Sequence, residues 1–273
     1  MRALIARLRS PRVLPNELEA WCLSRLHRRA YSILDERQLA ATRRSDTVFI
    51  FGSGASLNAV SGPLWRLIAE HDTMGFNWFV RQRFVRCDYH LIREIPDDDF
   101  DRAVWKPQLG QYFDLVRSNP CFARTIFLVQ SDFRALSGNR AIGFRLLPTD
   151  RRVFLWRSVR GRRAPGRSWL EGLTHGHGTL QECINAAYIM GWKRIVLAGV
   201  DLYDRRYFWL APDEKRVNDP SPDATHKTAG GVVAALTEWA DTFARDGVEL
   251  LVQNPKSLLA GALRVWEPQL VQR

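Results

Sequence analysis

Short runs of consecutive apolar residues alternate with longer stretches in which apolar positions recur every three or four residues, and this pattern holds from Thr47 onward. A strand covered on both faces reads as an unbroken apolar run, so the runs predict strands of a parallel sheet and the periodic stretches predict its covering helices. The strand runs are Thr47 to Phe51, Thr73 to Phe76, Tyr89 to Ile92, Thr125 to Val129, Val153 to Trp156, Ile195 to Val200 and Val248 to Val252. Helices are expected at Leu64 to Glu70, Gln108 to Ser118, Thr179 to Met190 and Gly231 to Arg245. The predicted class is α/β: a single Rossmann-like α/β/α domain with a mostly parallel twisted sheet over residues 47–273.

Three stretches depart from this rhythm. Residues 1–46 carry ten arginines against five acids and no strand-like run, which predicts a basic helical N-terminal appendage with Leu23, Leu26, Tyr31 and Leu34 near one face. Arg151 to Arg167 holds seven arginines and no acid. Tyr203 to Thr225 is polar, aromatic and proline-bearing, longer than the usual connection of about 4 to 6 residues, and suits a lid over residues 203–226.

Composition narrows the class. With 273 residues and 46% hydrophobic positions the chain can bury a full core, which excludes a disordered tail. The formal net charge of +11 raises a polyanionic partner, but 35 of the 40 basic residues are arginine and they are spread along the chain, so no nucleic-acid partner is expected. Cys22, Cys87, Cys121 and Cys183 are scattered without metal-ligand spacing and read as reduced thiols. No apolar run approaches the ~20 residues needed to span a bilayer. The expected location is cytoplasmic. Arg2, Arg7, Arg9 and Arg12, interleaved with Leu4, Ile5, Leu8 and Leu14, add the expectation of peripheral contact with an anionic membrane.

Ligands of an open parallel sheet sit beyond the carboxyl ends of its strands, so the residues following each run are the candidates. Gly52-Ser53-Gly54-Ala55-Ser56 follows the first run, and its glycines allow close approach of a phosphate to the backbone. It lacks the third glycine of a dinucleotide fingerprint and the GK[ST] of a P-loop, which argues against NAD and ATP. Asn77 follows the second run and offers an amide to a base or sugar hydroxyl. Asp201-Leu202-Tyr203 follows a later run, with Tyr207 just beyond; two phenols could hydrogen-bond a departing phosphate, and tyrosines also serve in packing. His226 ends the suspected lid just before a helix, where an imidazole suits proton transfer and equally a capping role. His175-Gly176-His177-Gly178 opens the Thr179 helix, with no third metal ligand nearby in sequence.

Together these segments resemble the bacterial sialyltransferases of glycosyltransferase family 42 and related sialyltransferase-like proteins of surface-glycan and flagellin-glycosylation loci. Gly52-Ser53-Gly54-Ala55-Ser56-Leu57 is similar to that family's Gly-Asn-Gly-Pro-Ser-Leu loop, and Phe76-Asn77-Trp78-Phe79 to its Cys-Asn-Gln-Phe element. His177-Gly178, Gly199-Val200-Asp201-Leu202-Tyr203, Thr225-His226-Lys227 and Asn254-Pro255-Lys256-Ser257-Leu258-Leu259 follow in the family's order, and the likeness spans Thr47 to Leu263. The resemblance implies a GT-A-like variant fold and inverting, metal-independent, cofactor-free transfer of a sialic acid, related nonulosonic acid or Kdo. The donor would be a CMP-activated sugar and the acceptor a surface glycan or glycolipid. By it, His226 is the general base, Tyr203 and Tyr207 stabilise the leaving phosphate, and Gly52, Ser53, Gly54, Ser56, Asn77, His177, Gly178 and Asp201 surround the nucleotide sugar. Ser53 replaces the family's asparagine and His177 its serine, so the resemblance carries the sugar-nucleotide class further than the cytidine base. Asp97-Asp98-Asp99 resembles the metal-holding DxD element of other nucleotide-sugar transferases and also suits a solvated helix start. The alternatives are another transferase on the same scaffold, similar to a pterin pyrophosphokinase, and a non-catalytic nucleotide-sugar-binding protein. Homo-oligomerisation is left open.

Overall fold

The computed structural model describes residues 13–93, 95, 102–133, 135–211, 214, 225–226 and 228–268. Asp97 to Asp99, Lys227, residues 1–12 and most of the lid interior lie outside this set.

The strands are β1 (Ser32–Ile33), β2 (Thr47–Phe51), β3 (Asp72–Phe76), β4 (Tyr89–Ile92), β5 (Ile126–Gln130), β6 (Arg152–Trp156), β7 (Ser158–Arg160), β8 (Leu173–His175), β9 (Arg194–Ala198), β10 (Glu249–Val252) and β11 (Arg264–Val265). Nine of them form one sheet in the order β1-β6-β5-β4-β3-β2-β9-β10-β11, and β7 and β8 make a separate ribbon. Every pairing in the large sheet is parallel. The chain moves outward from β2 to β6, then returns to the other side of β2 to lay down β9, β10 and β11. That reversal between β2 and β9 is a topological switch point, where the connections leave a crevice at the carboxyl ends.

The helices are α1 (Val13–His27), α2 (Glu36–Ala40), α3 (Gly62–Ala69), α4 (Arg102–Ser118), α5 (Leu136–Gly143), α6 (Thr179–Met190) and α7 (Ala229–Arg245). Alternation of side chains along each strand divides the core into two layers. Val48, Ile50 and Leu91 pack under α6 and α7, whereas Phe49, Phe51 and Val129 pack under α3, α4 and α5. In α7, Val232, Leu236, Trp239 and Phe243 recur at helical spacing and are buried, which fixes that helix to the sheet. Gly191 ends α6 at φ +84°, a left-handed turn that costs glycine little.

The predicted strands appear within two residues of their expected limits. Strands β7, β8 and β11 and helix α5 are not predicted, and two further features differ. Residues 13–46 include a strand: Ser32 and Ile33 pair with Arg152 and Val153, so this segment contributes an edge to the central sheet. A two-residue strand carries no periodic signal, and the helix itself lies at Val13–His27, upstream of the expected Leu23 to Leu34 face. The arginine-rich stretch 151–167 is built into the fold: it begins as β6, continues as β7, and Arg162 is tied to Thr174 and to the carbonyl of Gly172.

Candidate active site

The loops after β2 and β9 are joined across the switch point. Gly52 N–H donates to the Ala198 carbonyl and Gly54 N–H to the Gly199 carbonyl, both at 2.8 Å. The glycines are required by proximity: a Cβ at Gly52 would overlap the Gly199 carbonyl, and one at Gly54 would overlap the Asp201 carboxylate. Asp201 is buried and accepts from Ser56 N–H at 3.0 Å, from the Ser56 hydroxyl, and from Asn254 Nδ2 at 2.9 Å. Ser257 Oγ donates to the Val200 carbonyl at 2.6 Å. Ser56 and Asp201 therefore spend these bonds on one another, and the pair braces the loop that carries Ser53 and Gly54.

Both ends of the 203–226 segment return to this brace. Tyr207 forms an antiparallel bridge with Gly54, flanked by Ala55 N–H to Arg206 O at 3.2 Å and Phe208 N–H to Ser53 O at 3.1 Å. The Tyr207 ring stacks on Trp209 with centroids 4.9 Å apart. At the far end, His226 N–H donates to the Leu202 carbonyl at 3.0 Å. Leu202 holds φ +64°, a conformation rare for a residue with a side chain and characteristic of sites where geometry is imposed. His226 Nδ1 lies 2.9 Å from Thr228 Oγ1. The Thr228 N–H also donates toward Nδ1, at 3.4 Å, which suits the tautomer with the proton on Nε2; with the ring proton on Nδ1 instead, directed to the Thr228 hydroxyl, Nε2 holds the lone pair of a base. Partial burial, then the nearby Asp201 carboxylate, push the Tyr203 phenol above its ordinary pKa, so it remains an O–H donor.

Two helix amino termini converge on the same region. Gly178 is the N-cap residue of α6, and the exposed His177 ring before it lies so close to Gly231, in the first turn of α7, that a Cβ there would overlap the ring. Free N–H groups and the helix dipoles make both termini favourable to an anion. Asn77, at the end of β3, holds φ +48°, and its Oδ1 is buried without a hydrogen-bond partner.

One cluster was invisible in sequence. Glu182, fully buried in the first turn of α6, pairs with Arg93 Nε at 3.0 Å, faces His175 Nδ1 at 3.5 Å and accepts from the Ser158 hydroxyl. Its members come from β7, β8, α6 and the residue after β4, so no local motif announces it. His175 is thereby engaged by Glu182 and by Arg93, whose NH2 lies 3.2 Å from its Nε2. Among the described residues no group of three or more His, Cys, Asp or Glu is arranged to hold a metal ion.

Neither a protein-family model nor a curated protein matches the sequence. Among solved structures, the MAf glycosyltransferase from Magnetospirillum magneticum AMB-1 is similar with a TM-score of 0.48 and 18% identity, over 81% of this chain and 33% of that one. The chain thus spans about a third of that protein's length.

Proposed function

We propose that this chain is a glycosyltransferase that moves an acidic sugar from a CMP-activated donor to a glycan or glycolipid hydroxyl, with inversion and without a metal. The carrying observation is the bond from His226 N–H to the Leu202 carbonyl, which brings an imidazole from the far end of the lid to the switch point beside Tyr203 and the Gly54–Tyr207 bridge. In this reading Gly52, Ser53, Gly54, Asn77 and the His177-Gly178 turn surround the nucleotide. His226 Nε2 takes the proton of the acceptor hydroxyl as its oxygen bonds to the anomeric carbon. The bond from that carbon to the phosphate oxygen breaks, and CMP leaves with the electron pair. Tyr203 and Tyr207 donate O–H groups to the phosphate where this charge develops. The order of motifs shared with the bacterial sialyltransferases supports the same roles.

Thermal-shift screening against CMP, UMP, GDP and ATP tests the donor class, because a ligand of the native state raises its apparent stability. A CMP-selective shift, with slow release of CMP from CMP-N-acetylneuraminic acid, is expected. Selective stabilisation by ATP would replace this reading with phosphoryl transfer.

A further inference from the structure

The C-terminal end of α1 and the C-terminal end of α5 form a corner with an unusual surface. His27 Nδ1 lies 2.6 Å from the Gly143 carbonyl, and Gly143 packs against the α1 backbone at Ala20 and Ser24. The neighbours of this contact point outward: Leu26 is 67% exposed and Phe144 45%. Arg25, Arg28, Arg29 and Arg145 are exposed around them. Neither residues 20–34 nor residues 133–149 contain an acid. The Tyr31 hydroxyl, bonded to the Leu147 carbonyl at 2.8 Å, clamps the two segments together, so the arrangement is built into the fold. Helix α1 carries apolar side chains on both sides, Ala20 inward and Leu18 and Leu26 outward, which a helix facing only water does not need.

From this corner we infer a docking surface for an anionic phospholipid bilayer. Its chemistry is that of an interfacial site: two large apolar side chains that can enter the headgroup boundary, ringed by guanidinium groups that pair with lipid phosphates. The aliphatic and aromatic tips favour a bilayer over a nucleic acid, whose backbone offers arginine no apolar layer to enter. Among the described residues no helix is long and apolar enough to cross a membrane, so the contact is peripheral. The inference is independent of the proposed glycosyl transfer, since the corner lies on other elements than the switch-point loops.

Co-sedimentation of the full chain with phosphatidylcholine vesicles containing 0% or about 30% phosphatidylglycerol tests it. Binding that requires phosphatidylglycerol and is reversed by salt is expected. The triple substitution Arg25→Gln, Arg28→Gln, Arg29→Gln should weaken partitioning roughly 100-fold, at about fivefold for each arginine. Leu26→Ser with Phe144→Ser should weaken it while leaving circular dichroism and nucleotide-induced thermal shifts unchanged. A chain with Arg2, Arg7, Arg9 and Arg12 changed to Gln separates the neighbouring basic segment. Loss of binding in that chain with full binding in the triple variant overturns the inference. So does a concentration-dependent dimer that disappears in the Leu26 and Phe144 variant, or binding to RNA without binding to vesicles.

Discussion

His226 and Leu202 are joined backbone to backbone at 3.0 Å, so the segment between them leaves and returns to the same point beyond the carboxyl end of β9. This fastening uses the main chain and sets the imidazole beside the carboxyl end of β9. His226→Ala keeps that backbone bond and should therefore leave the fold intact. Turnover of CMP-sugar should fall roughly 100-fold or more, the contribution typical of a positioned acid or base, with CMP affinity unchanged. Near-normal turnover in steady-state assays would remove His226 from the reaction.

Tyr203 and Tyr207 are expected to act together on the leaving phosphate. Each Phe variant should lower turnover, and the double variant should lower it further, because each removes one O–H donor while keeping the ring. Addition of EDTA should leave the rate unchanged. If EDTA abolishes turnover and Mn²⁺ restores it, charge stabilisation belongs to a metal and Asp97 to Asp99 become its candidates.

Asp201 is a brace before anything else. Its carboxylate accepts three hydrogen bonds within the protein, so Asp201→Ala should lower unfolding free energy by about 2–4 kcal/mol even without nucleotide. Urea unfolding of the ligand-free chain measures this. Unchanged stability combined with lost nucleotide binding would show instead that the carboxylate serves the ligand.

The sheet was legible because each strand is buried on both faces and needs an uninterrupted apolar run; Thr47 to Phe51 is wholly buried, as its composition demands. Helix α7 was legible for a related reason, through the spacing of Val232, Leu236, Trp239 and Phe243. Strand β1 was not, since Ser32 and Ile33 are exposed and join the sheet by pairing with β6. At the site, the glycines and Asp201 stand where strand ends predict them. Their direct contacts with one another were hidden, because Ser56, Asp201 and Asn254 are distant in sequence and meet only once β2, β9 and β10 are adjacent. The Arg93, Glu182 and His175 cluster has the same origin. A lone buried glutamate inside a helical pattern names no partner.

Gly231 offers a test of the meeting between α6 and α7. A methyl group there would displace the His177 ring, which is exposed and able to swing away. Gly231→Ala should leave the melting temperature within a few degrees, glycine to alanine being favourable to a helix by about 1 kcal/mol. CMP-induced stabilisation should shrink if His177 lines the nucleotide site as proposed. An undiminished shift would place His177 outside it.

His90 sets an expected pH dependence of stability. It is wholly buried on β4, with Nε2 2.6 Å from the Tyr112 hydroxyl, and burial pushes its pKa down to about 3, opposed in part by the backbone of Asn77, which favours the protonated ring. In the unfolded chain it titrates near its ordinary value of about 6.5. Between these limits the unfolded chain binds a proton that the native protein does not, so this residue lowers stability as pH falls below about 6.5, by up to ~1.4 kcal/mol per pH unit. The half-buried His71, lowered chiefly by its own desolvation and then by Arg194, acts in the same direction. Urea unfolding of wild type and His90→Gln between pH 7 and pH 4 separates the contribution from that of the carboxylates, because glutamine can still bond Tyr112 but does not titrate. The variant's stability should fall less steeply with acid, by close to one proton's worth of slope. Parallel curves would mean that His90 accepts its proton in the native state, and the burial argument would fail.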